Sequence, residues 1–159
     1  MTINKIEYKQ ARKYLLLYSY ISLLIFIISC FLPCFSVRDS PSDYMGYTAL
    51  LFGWIGVFTN SELTIHYISW CANILFMLSF FIKNRLIGII LSLGSLILSC
   101  LFYGCPYIVI NEAGKQSNIT TLKIGYYMWV ISFLFLLLGK IITITKSIPQ
   151  RQNRKESNV

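Results

Sequence analysis

Between Tyr14 and Phe35 the chain carries no charged residue. About 20 apolar residues, rising 1.5 Å each as a helix, cover the hydrocarbon core of a bilayer. This run therefore predicts a membrane-spanning helix over residues 14–35. Pro33 stands near its end, where a helix stops at little cost. Three further apolar runs predict spans at about 63–82, 86–104 and 124–144. A soluble domain needs a polar surface, and a chain 56% hydrophobic and 13% charged has too few polar side chains to cover one. The expected fold is all-α: one transmembrane domain of four helices over residues 1–146, then a basic, disordered cytoplasmic tail over 147–159.

The first run also invites a signal-peptide reading, since Ile27 to Cys30 loosely resembles a lipoprotein cleavage box. It is long for an h-region, however, and further spans follow it, so an uncleaved anchor is expected. Tyr47 to Phe58 is apolar but too short to cross, and counting it would place the basic ends of the chain on opposite sides. It is read as an outer interfacial or re-entrant segment, with Gly46, Gly53 and Gly56 allowing close packing and Trp54 anchoring at headgroup level. Between the last two spans, Tyr107 to Ile110 and Ile119 to Leu122 are β-prone runs that suggest a small hairpin.

A net charge of +8 would suit nucleic acid, but its distribution argues against that partner. Eleven of the 14 Lys and Arg residues fall at the N-terminus, in the Lys83-Asn84-Arg85 turn, or at and after Lys140. Arg38, Lys115 and Lys123 lie in the two other loops. Short flanks with this bias place both termini in the cytoplasm. The turn at 83–85 makes the second and third helices antiparallel neighbours. In lipid, helices associate through small residues and close fit. Gly88, Ser92, Ser95 and Ser99 draw one such face on the third helix, and Gly125, Ser132 and Gly139 draw one on the fourth.

The candidate binding residues are Gly53, Trp54, His66, Trp70 and Asn73. On the second helix His66, Ser69 or Trp70, and Asn73 recur at intervals of three and four, so they share a face. One reading is a polar pocket in which His66 titrates near neutral pH. The plainer one is that Asn73 bonds across helices while His66 sits among headgroups. No Asp or Glu falls inside a span, which removes the usual mark of an ion pathway. Lys140 is expected to snorkel to the surface. The five cysteines read as small apolar fillers, or else as including one structural disulfide, Cys34 to Cys105, at the outer ends of two parallel spans. Their spacings are not the C-x-x-C of thiol redox enzymes. Asn118-Ile119-Thr120 fits the glycosylation acceptor pattern. No catalytic constellation, metal cluster or cofactor motif is evident.

The segments GYTALLFGWIGVF from Gly46, WCAN from Trp70 and IGYYMWVIS from Ile124 resemble a loosely defined group of small bacterial inner-membrane proteins with no assigned function. The resemblance covers Pro33 to Ser132, implies a bacterial plasma membrane and brings no chemistry with it. The expected role is non-enzymatic, by contact with the lipid bilayer or another membrane protein. Alternatives are an immunity protein that meets a pore-forming toxin in the bilayer, by analogy of architecture alone, and a thiol–disulfide or quinone-linked oxidoreductase.

Overall fold

A computed structural model of the protein describes residues 3–40, 42–54, 65–82, 84–109 and 115–145. The side chains of 3–9, 11–12, 65–67 and 109 lie outside the description, and so does the tail from 146 onward. Helix α1 (Ile3–Cys30) leads into strands β1 (Pro33–Val37) and β2 (Tyr44–Met45) and a short helix α2 (Gly46–Phe52). Helices α3 (Ile65–Trp70) and α4 (Ala72–Phe81) follow, separated only by a turn at Cys71, and then α5 (Arg85–Leu101). Strands β3 (Tyr107–Val109) and β4 (Gln116–Leu122) precede the last helix, α6 (Ile124–Thr145). Three of the described helical segments, Lys13–Cys30, Arg85–Gly104 and Ile124–Thr145, are long and apolar enough to cross a membrane, and Ile68–Phe81 is a shorter apolar helix.

The all-α expectation is corrected by a four-stranded antiparallel sheet, ordered β2-β1-β4-β3, at one end of the helices. The expected hairpin is its β3–β4 half. The other half lies where the first span was expected to continue. α1 stops at Cys30 rather than Phe35, because Pro33 disfavours helical backbone at Leu32 and cannot donate to the helical ladder. Cys34 to Val37 then run as a strand, with Phe35 opposite Leu122 and Val37 opposite Ile119. The inner face of the sheet buries Cys34, Phe35, Val37 and Ile108 against Tyr44, Ala49 and Phe102. Its outer face exposes Asn118 and Thr120.

Below the sheet, α1 packs along α6, α6 against α5, and α5 against α4. The two small-residue faces do what their spacing predicted. Gly88, Ser92, Ser95 and Ser99 are the buried positions of α5, and Gly125, Ser132 and Gly139 are buried in α6. Each hydroxyl on these faces returns its hydrogen bond to a carbonyl, as apolar surroundings require. Ser92 donates to Gly88 O at 2.9 Å and Ser95 to Ser92 O at 2.8 Å. Across helices, Ser22 donates to Ser132 O at 2.7 Å and the Tyr126 hydroxyl to Ser99 O at 3.2 Å. The centre is aromatic: Phe76 meets Phe26 at 5.0 Å and Phe133 at 4.5 Å between ring centroids. Through these rings α1 and α4 meet at mid-height.

Candidate functional site

The residues singled out on the second helical segment converge on one hydrogen-bonded chain. The Trp70 indole N–H donates to Leu50 O of α2 at 3.0 Å. Asn73 donates through Nδ2 to Trp70 O at 3.1 Å. The Asn73 Oδ1 accepts from the Trp129 indole N–H of α6 at 2.9 Å. Four helices, α2, α3, α4 and α6, are tied by one buried amide and two indoles. The α3–α4 junction explains why the amide is needed. Cys71 N bonds back three residues, to Ile68 O at 3.0 Å, which tightens the turn, and the Asn73 side chain bonds the Trp70 carbonyl at the break. A side chain inserted in the backbone ladder is a common cause of such a break.

Gly53 closes this chain from the α2 side. A Cβ there would run into Cδ1 of Trp70 and come within 2.5 Å of Ala49 O. Gly46, at the other end of α2, lies so close to Ser29 O that a Cβ there would be 2.8 Å from the Cys30 Cα. Its N–H donates to Leu32 O at 3.0 Å. Glycine is needed at both places for close approach. α2 is thus clamped to α1 at one end and to α3 at the other. Its remaining surface is apolar and open: Tyr47, Leu51, Phe52 and Trp54 are exposed, Phe52 at 60% and Leu51 at 57%. Tyr47, Leu51 and Trp54 follow the helical interval of four and three.

Of the predicted site residues, Gly53, Trp70 and Asn73 meet, and Trp54 stands at the edge of the same group. His66 lies in α3, with its side chain outside the described residues. Positions 55–64, which include the rest of the outer apolar segment, are also outside. Asn73 bonds across helices, as the plainer reading expects, but its partner Trp129 is not among the predicted site residues. The signal for this bond was the single asparagine in an apolar run, which must find a partner in lipid.

The expected Cys34–Cys105 disulfide is not formed: Cys30, Cys34, Cys71, Cys100 and Cys105 are free thiols. Its premise was contact between the first and third spans, whereas α1 packs on α6. Cys34 O accepts from Lys123 N on one edge of β4, and Pro106 O accepts from Ile119 N on the other. Two strand spacings make roughly 10 Å, beyond the reach of about 7 Å for bridged Cα atoms. Burial pushes the Cys34 thiol up to about 12, with Cys30 adding to it, and the Cys105 thiol up to about 11. Thiols held neutral in this way are poor nucleophiles and poor metal ligands. Among the described residues no group of His, Cys, Asp or Glu is placed to hold a metal ion.

The snorkelling of Lys140 is also corrected. It is 8% exposed, and its ammonium donates to Ser79 O, in the last turn of α4, at 2.6 Å. Helix C-termini present carbonyl dipoles that favour a cation, and Gly88, opposite, leaves the room it occupies. A Cβ at Gly88 would sit 3.0 Å from Nζ.

No family model, curated protein or solved structure matches the chain. The function is therefore argued from this geometry alone.

Proposed function

We propose that the chain is a multi-pass protein of a bacterial plasma membrane that acts by contact, through the apolar ridge of α2, on lipid or on another membrane protein. The observation that carries this reading is the clamped but uncovered helix. α2 is fixed by Gly46, Gly53 and the Trp70 bond, yet it keeps Leu51 and Phe52 exposed. Apolar patches held open on a rigid scaffold tend to mark interaction sites. The high thiol pKa values at Cys34 and Cys105 favour reading the cysteines as filler over the oxidoreductase reading.

In this proposal α3 and α4 together make a fourth crossing. From Ile65 to Phe81 they cover roughly 25 Å at 1.5 Å per residue, enough for a slightly thinned bilayer. The sheet and α2 then form a cap outside the cell, and the basic ends of the chain lie in the cytoplasm.

A photo-crosslinking residue at position 52, in cells, tests the contact reading against one at Asn118 on the polar face of the sheet. The expected result is a discrete protein or lipid adduct from 52 and none from 118. Equal adducts, or none from either, would show that the ridge is only a surface.

A further inference from the structure

At the end away from the sheet, α1 and α4 part below the Phe26–Phe76 contact and leave a cleft of about 610 Å³. Leu15, Leu16 and Leu23 of α1 and Phe80 and Phe81 of α4 make its apolar walls. Arg85, at the start of α5, and Lys140 of α6 reach it from the other side. It opens sideways, between helices: the rim residues Leu16, Tyr20 and Phe81 are 47%, 68% and 79% exposed. In a bilayer, acyl chains would border that rim.

The charge inside is one-sided. Among the described residues that line the cleft, none is a carboxylate. Among the described side chains the carboxylates are Asp39 and Asp43, in the β1–β2 loop at the sheet end. Lys140 has three N–H donors and gives one to Ser79 O. That carbonyl supplies a dipole but no counter-charge, and a buried ammonium in apolar surroundings is costly without one. The Arg85 guanidinium lines the same space. Two cations from two helices, over apolar walls that open to the bilayer, are complementary to an anion joined to an acyl chain.

We propose that this cleft binds the headgroup of an anionic glycerophospholipid from the surrounding leaflet. The phosphate lies toward Lys140 and Arg85, and one acyl chain lies along Leu16, Leu23 and Phe81. Basic pockets between helices suit such headgroups, and the volume falls in the usual range for ligand sites. The site needs the membrane reading but not the α2 contact reading, so either can fail alone.

The test uses the full chain in neutral detergent, with thermal unfolding followed as phosphatidylglycerol, phosphatidylcholine of the same acyl chains, or inorganic phosphate is added. Phosphatidylglycerol should raise the midpoint well beyond the other two. Lys140→Gln, which can still donate to Ser79 O, and Arg85→Gln should each weaken phosphatidylglycerol binding roughly fivefold, as one charge facing an anionic headgroup implies. Should a charge variant not accumulate, Tyr20→Trp on the rim keeps both cations. Its fluorescence should be quenched by phosphatidylglycerol brominated in the acyl chain more than by brominated phosphatidylcholine. Equal responses to the two lipids, or charge variants that bind as the parent does, would overturn the site. A response to inorganic phosphate alone would make the ligand a soluble anion and overturn the lipid assignment.

Discussion

The two ends of the helix bundle solve the same problem in opposite ways. At the sheet end the helix termini are covered by the chain itself. β1 and β4 bring the two connecting loops together, Phe35 stacks on Tyr44 at 5.2 Å, and Trp70, Asn73 and Trp129 tie α2, the α3–α4 junction and α6. At the other end α1 and α4 stand apart, and the Lys140 ammonium, on Ser79 O, bridges α6 to α4. The closed end consumes its polar groups internally, while the open end leaves a cationic cleft. Polar side chains in apolar helices therefore serve as fasteners in one half of this molecule and, in the other, line the cleft proposed to take a lipid headgroup.

Removing what separates the two halves should have the largest effect. Phe76 is fully buried where α1, α4 and α6 meet. Phe76→Ala should cost about 3–5 kcal/mol, read as the shift in an unfolding titration in mixed micelles, and should let the cleft extend toward the sheet. A loss under about 1 kcal/mol would mean that the aromatic centre is not the divide.

Next in size is the fastening of α2. Asn73→Leu removes the acceptor of Trp129 and the donor to Trp70 O. Interhelical hydrogen bonds in membranes contribute roughly 0.6–1.7 kcal/mol each, so a loss of about 1–2 kcal/mol is expected. Trp129→Phe should cost a similar amount. The double variant should cost less than the sum, because both changes remove one bond. Strict additivity would show that the two residues act separately.

The smallest change to stability concerns the thiols of the sheet end. Cys34 and Cys105 should carry no bond, so the protein mass should not change on reduction. Both should resist a water-soluble maleimide near pH 8 in the folded state and react readily once unfolded. Burial favours the neutral thiol, so the folded pKa values, about 12 and about 11, lie above the ordinary 9.0. Their contribution to stability is therefore complete below about pH 9 and is lost as pH rises toward 11–12. Cys105 should become reactive at lower pH than Cys34. Rapid labelling of both at pH 8 would mean that the sheet does not cover them.

Much of the helix packing and of the closed end was legible because the signals are local. Spacing alone marked the buried faces at Gly88, Ser92, Ser95 and Ser99 and at Gly125, Ser132 and Gly139. The β3–β4 hairpin announced itself by composition, and Trp70 and Asn73 stood out as polar groups in an apolar run. The β1–β4 pairing did not, because Cys34 to Val37 look like the tail of a span until Thr121 and Leu122, far along the chain, supply the partner strand. Pro33 is the clue in the sequence: it ends the helix and leaves the residues after it to run as a strand. Lys140 was missed for a similar reason. Its neighbours in sequence say that it can reach the surface, and only the placing of Ser79 and Gly88 shows that it turns inward. The split of the second span at Cys71 depends on the Asn73 side chain bonding Trp70 O, a local contact that hydropathy does not register.

The two ends of the bundle are proposed to face opposite sides of one bilayer. This is tested by single cysteines at Asn118, exposed on β4, and at Lys13, exposed near the start of the apolar part of α1. Each is labelled in intact bacterial spheroplasts with a membrane-impermeant maleimide and compared with the parent chain, before and after permeabilisation. The account predicts that the Asn118→Cys protein is labelled from outside and that the Lys13→Cys protein is labelled only after permeabilisation. Labelling of both from outside, or of Lys13→Cys alone, would contradict it.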